Sequence, residues 1–113
     1  MDTTHLTEIA DAELDAARAA SAGRAARTLH GGRHRALRQT VVALRDGARL
    51  DDHESPGEAT LQVLRGRVRL SSPDGDVEGG EGDLLVIPPT RHGLTALEDA
   101  AVLLTVVKVE AVD

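Results

Sequence analysis

Two histidines hold the chain's best prospect of chemistry. His53 follows Gly47 after a five-residue gap and stands just before Pro56-Gly57. His92 follows Gly82, an aliphatic run and Pro88-Pro89. In both units a glycine opens a strand-like run, and a histidine sits beside a proline-containing loop. A neutral imidazole presents one nitrogen lone pair and suits Fe, Mn, Ni, Cu and Zn. Stable sites take at least three protein ligands, so the pair needs further donors. Glu58 and His34 are the candidates. Positions 53, 55 and 59 share a face in an extended chain, but two of them hold Ser55 and Ala59. Glu58 is one residue out of phase and needs a bulge at Pro56-Gly57 to turn it inward. His34 is the remaining imidazole; His5 and His30 are expected in solvent or at a rim. The expected metal is a weakly held Zn, Ni, Fe or Mn ion on His53 and His92, completed by Glu58, His34, water or a ligand.

Other polar side chains could line a ligand cavity. Gln39, Gln62 and Ser55 are the candidates, with Gln62 also suited to a structural hydrogen bond. Arg38 and Gln39 have opposite strand parity, so one of them faces inward. The expectation is a solvated outer face for Arg38; pointing inward, its fork would suit a carboxylate ligand. Ser55 beside His53 does not make a hydrolase, because there is no G-x-S-x-G elbow and no third residue to orient a base. Gly79, Gly80 and Gly82 do not spell a dinucleotide fingerprint. A Schiff-base enzyme would have to use Lys108, the one lysine, in a terminal strand-like run.

The elements that must position these residues follow from period and punctuation. Residues 4–22 have helical spacing at Leu6, Ile9, Glu13 and Ala17, a possible cap at Thr4 or Thr7, and a stop at Gly23. The helix is expected against the outside of a barrel or a partner subunit. From Arg24 the period is two. Strands are expected over 25–30, 35–44, 49–53, 60–65, 67–71, 83–87, 93–97 and 101–109, with 83–87 buried. Turns fall at Asp46-Gly47, Pro73-Asp74-Gly75 and Gly79-Gly80-Glu81-Gly82. Many short strands with regular turns mean an all-β sandwich or barrel.

Composition narrows the partners. The chain has 113 residues, enough for one core. It has no Phe, Tyr or Trp, hence no stacking platform for bases or sugars and no aromatic cage. A net charge of −6 argues against nucleic acid. The absence of cysteine removes disulfides, thiolate zinc sites and thiol nucleophiles, and suits the cytoplasm. No secretory signal or membrane-length apolar run is visible.

The two histidine units resemble the two motifs of the cupin superfamily. In the first, Gly47, the five-residue gap, His53 and Gly66 match; Ser55 stands at the second histidine and Ala59 at the glutamate. In the second, Gly82 and Pro88 match, His92 comes one residue early, Thr90 replaces the glycine and Ala96 the asparagine. The resemblance covers about residues 35–109. The run His53-x-x-Pro56-Gly57-Glu58-Ala59-Thr60-Leu61-Gln62-Val63-Leu64-x-Gly66 is similar to small bacterial cupins of unassigned role. The resemblance implies an all-β, cupin-type jelly-roll barrel with one N-terminal helix: a helical segment at 1–23 and a barrel domain at 24–113. It implies a small-molecule-binding sensor or accessory module, or alternatively a metal-dependent enzyme of the dioxygenase or isomerase type using His53 and His92. A homodimer is expected, with no membrane partner.

Overall fold

A computed structural model describes residues 1–54 and 57–108. One helix, α1 (Leu6–Ala19), precedes nine strands: β1 (Arg24–His30), β2 (Leu37–Leu44), β3 (Arg49–His53), β4 (Gly57–Arg65), β5 (Arg67–Ser72), β6 (Gly75–Gly80), β7 (Leu84–Val86), β8 (His92–Ala96) and β9 (Ala100–Lys108). They form a five-stranded sheet in the order β1-β2-β9-β4-β7 and a four-stranded sheet in the order β3-β8-β5-β6. Every pairing is antiparallel. The two sheets face one another as a jelly roll, as the resemblance implied.

β2 shows how aliphatic residues alone build this. Val42 and Leu44 point between the sheets and join Leu61, Val63, Val68, Leu70, Leu94 and Val102 in one core. Val41 and Ala43 point the other way, onto Ala10, Leu14 and Ala17 of α1 and onto Ala101 and Leu103 of β9. The second half of the strand, 41–44, is thus buried on both faces, which is why it reads as an unbroken apolar run. The helix lies on the outside of the five-stranded sheet. Its buried Glu13 accepts from Arg27 Nε on β1 at 2.9 Å, so no lone carboxylate is left under the helix.

Several local expectations are corrected. The residue capping α1 is His5, with no side-chain hydrogen bond, rather than Thr4 or Thr7. Gly79 and Gly80 belong to β6, where Leu85 packs against Gly79 and Arg67 lies over Gly80; a Cβ on Gly79 would lie 3.1 Å from Leu85 Cδ2. The run at 83–87 is an edge strand of three residues, with Leu85 buried and Leu84 and Val86 exposed, because among the described residues it pairs only with β4 and its outer face has no cover. Position 109, expected in the last strand, lies outside the described residues.

Candidate functional site

The barrel has a closed end and a mouth, and the histidines are at the mouth. β3 and β8 pair Leu50 with Leu94 but His53 with His92, so one extra residue enters β3 between these pairs. In an unbroken register Asp52 would face His92 and His53 would point outward. The bulge turns His53 onto the inner face, level with His92. Gly93 accommodates it: a Cβ there would overlap the Asp52 carboxylate. His92 shares the inner face with Leu94 and Ala96, and a histidine one residue later would face the other way.

The two rings meet edge to face, with centroids 4.6 Å apart. His92 is buried at 4% exposure, whereas His53 is exposed. His53 Nδ1 lies 3.0 Å from the Asp51 carbonyl oxygen, and His92 Nδ1 lies 2.9 Å from that of Thr90. A carbonyl oxygen only accepts, so in each neutral ring Nδ1 carries the hydrogen and Nε2 keeps the lone pair. Metal-ligating imidazoles are commonly held in this way, by a backbone carbonyl on the other nitrogen.

Both rings line a cavity whose other walls are aliphatic, among them Val42, Leu61, Ile87 and Leu104. Its volume is about 30 Å³, roughly the volume of one water in the liquid. Small-molecule pockets usually take about 300 Å³ or more. The space between the sheets is therefore filled by its own side chains, and any larger ligand would sit above the histidine pair, in the mouth.

The other sequence candidates lie apart from the pair. Glu58 is exposed and alternates with the buried Ala59, so it lies on the outer face of β4, paired across to Val107. Gln62 is exposed on that same face, opposite Leu84 of β7. Gln39 shares the helix-side face with Val41 and Ala43, where its Nε2 donates to Thr105 Oγ1 at 3.3 Å. His34 is exposed in the β1–β2 connection. Ser55 lies outside the described residues. Among the described residues no group of three or more His, Asp or Glu side chains could hold a metal ion. The full ligand set of the family motif does not fit here; two imidazoles remain.

Arg38 is the residue the sequence placed wrongly. It alternates with Gln39 and shares parity with Val42 and Leu44, so it points inward, in a row with Val106 and Ala59. Its Nε is buried and has no hydrogen-bond partner. The signal in the sequence was ambiguous because both faces of β2 are apolar. Beyond Arg38, the Gly31–Ala36 connection and the end of β9 enclose an open depression of about 280 Å³, lined by Arg33, His34, Arg35, Ala36 and Lys108.

No protein-family sequence model matches the chain. No curated protein matches it in sequence. Solved structures do. A conserved protein of unknown function from Streptococcus pyogenes is 34% identical, with a TM-score of 0.70 over 78% of this chain and 76% of its own. An RmlC-like cupin protein from Desulfovibrio desulfuricans is 25% identical, with a TM-score of 0.65 over 74% of this chain and 81% of its own. A salicylate 1,2-dioxygenase from Pseudaminobacter salicylatoxidans shares the fold at 19% identity and a TM-score of 0.73; the match spans 88% of this chain and 33% of that enzyme. The jelly roll, the paired histidine motifs and these relatives agree: the chain belongs to the RmlC-like cupin superfamily, with a depleted metal-ligand motif.

Proposed function

We propose that this cupin binds a small molecule at its mouth as a sensor or accessory module, and that His53 and His92 hold at most a weak divalent ion there. The observation that carries the reading is the pair itself. Two imidazoles stand with rings 4.6 Å apart, each with Nδ1–H donating to a backbone carbonyl and the Nε2 lone pair left to accept a hydrogen bond from a ligand or to coordinate a metal. Two protein donors make an incomplete first shell, so water or the bound molecule would complete it. The same shortage of donors weighs against a metal-dependent dioxygenase or isomerase. Elemental analysis of protein purified without an affinity tag separates the two classes: an equimolar redox metal would reverse the preference.

Calorimetric titration with Zn²⁺ and Ni²⁺ tests the site. Binding should be weak and should fall from about pH 8 to about pH 6, because protonation removes the lone pair that ligates. His53→Ala or His92→Ala should abolish most of it, and His5→Ala should change little. Tight binding that survives both single substitutions would place the metal elsewhere.

The proposal includes a cytoplasmic homodimer. Leu37, Val107, Leu84 and Val86 are exposed, and all lie on the outer face of the five-stranded sheet. β1, an edge strand, has one side unpaired within the described residues. Among the described residues no helix is long and apolar enough to cross a membrane. A monomer mass by light scattering at micromolar concentration would count against the dimer.

A further inference from the structure

The cations at the mouth are unbalanced in a chain whose net charge is −6. Arg33, His34, Arg35 and Lys108 surround one depression of about 280 Å³. Lys108 N–H donates to the Ala36 carbonyl at 2.9 Å, which ties the loop to the end of β9. Elsewhere Arg18, Arg27, Arg49, Arg65, Arg67 and Arg69 have carboxylate partners, Arg24 and Arg45 donate to backbone carbonyl oxygens, and Arg91, beside Ser71 and Pro73, has no ion-pair partner among the described residues. Among the described residues Arg33, Arg35, Arg38 and Lys108 have none. Ala36 and Lys108 extend the inner rows of β2 and β9, and the next row down is Arg38 with Val106. The stem of Arg38 runs beside the same loop: a Cβ on Gly31 would lie 3.7 Å from Arg38 Cγ. Its Nε is the described side-chain atom that is both buried and without a partner. A buried, unpartnered guanidinium N–H thus lies one inner row below a depression lined by cations without carboxylate partners, of which Arg35 rests its Nη1 3.3 Å from His30 Nε2. An anion is the natural counterpart of such a buried N–H.

We propose that this corner of the mouth takes a small oxyanion, with a carboxylate or phosphate group held by Arg38 and the rim cations Arg33, Arg35 and Lys108. This rests on the reading of the mouth as a small-molecule site and gives that molecule its chemical class. The planar guanidinium offers parallel N–H donors that match two oxygens of either group. The size of the depression is near the lower limit of small-molecule pockets, roughly 300 Å³. The acidic remainder of the chain disfavours a long polyanion.

The test uses the full chain freed of metal by a chelator, at low salt, titrated calorimetrically with sodium succinate and, separately, inorganic phosphate. Saturable binding of either is expected, and the tighter of the two identifies the group. Arg38→Gln should weaken binding about tenfold or more, and Arg35→Gln and Lys108→Gln about three- to tenfold each. Raising the salt to roughly 0.15 M should weaken it further. Arg67→Gln, on the four-stranded sheet, should leave it unchanged. Arg35 and Lys108 are exposed, so their variants keep the test valid should Arg38→Gln fold poorly. Glu110 follows Lys108 by two residues, so Glu110→Gln belongs in the series. Silence of wild type toward both anions up to millimolar concentration overturns the proposal. So does wild-type affinity in both Arg38→Gln and Lys108→Gln, or binding seen only in Glu110→Gln. Zn²⁺ binding with silent anion titrations sinks the anion assignment and leaves the mouth as a site; silence to metal and anion together sinks both.

Discussion

The two ends of the barrel are built on opposite terms. At the closed end the turns are tight, and Gly23, Gly47, Gly66 and Gly82 have positive φ there. Charge is matched across elements. Asp99, between β8 and β9, accepts from the Asp46 backbone N–H at 2.8 Å and from Arg18 Nε of α1 at 2.7 Å. Arg65, at the end of β4, reaches Asp11 of α1 and Glu81 beyond β6. At the mouth the order is reversed. The β1–β2 and β7–β8 connections are longer, although Pro73-Asp74 joins β5 to β6 tightly at the same end. Among the described residues each imidazole makes its hydrogen bond through Nδ1, and Arg33, Arg35, Arg38, Arg91 and Lys108 have no carboxylate partner. Where groups are satisfied by one another, the end serves stability. Where they are left with unused donors and lone pairs, they are available to something from outside.

The contrast can be broken from either side. The largest effect should come from Gly66→Ala. Gly66 has φ +74°, and a Cβ there would overlap the Asp99 carbonyl oxygen, with no flexible side chain to yield. A loss of roughly 2–4 kcal/mol is expected, lowering Tm by roughly 10–20 °C in a thermal melt. A wild-type melt would mean that the closed end is not held as described.

Asp99→Asn comes next, and it carries a pH dependence. The Asp46 N–H first, then Arg18, hold the Asp99 carboxyl below the usual carboxylate range. A lowered folded value means that the charged form favours folding. That contribution is complete above the ordinary carboxylate value and is lost as pH falls through the lowered one. Urea midpoints of wild type and variant should therefore differ by a constant amount from neutrality down to about pH 5, and converge in stronger acid, below about pH 3. A gap that persists in strong acid would assign the difference to packing instead of charge.

The smallest stability effects are expected at the mouth. Arg38→Met replaces an inward cation with an orphaned N–H by an apolar chain of similar reach. Stability should hold within about 0.5 kcal/mol or rise. Arg33→Gln should also stay within about 0.5 kcal/mol. A loss above about 1 kcal/mol in Arg38→Met, by chemical denaturation, would mean that the guanidinium is a structural member and that the two ends are more alike than drawn.

The sequence made the fold legible where a residue type has one conformational use. Asp46-Gly47 and Pro73-Asp74-Gly75 turn where expected, and the glycine–strand–histidine units come to one end of one barrel. It misled where both faces of a strand are buried. In β2, Val41 and Ala43 look as core-like as Val42 and Leu44, and only the position of α1 decides that the first pair faces the helix. That ambiguity reversed Arg38 and Gln39. The bulge that turns His53 inward depends on pairing with β8, a partner some forty residues away in the chain, and a bulge of that kind leaves no local mark. Leu84 and Val86 look buried from their chemistry, and nothing near them in sequence says that β7 is the last strand of its sheet.

The carbonyl-held imidazoles give the mouth a magnetic signature. Free neutral histidine in water favours the proton on Nε2, whereas His53 and His92 are held with it on Nδ1. In a ¹⁵N-labelled sample these two of the five histidines should show the less common tautomer, with an unprotonated Nε2 resonance that shows no one-bond proton coupling. Anything that coordinates or donates to Nε2 would shift that resonance before any other part of the spectrum. With no aromatic residue beyond histidine in the chain, the ring region holds little else to obscure it.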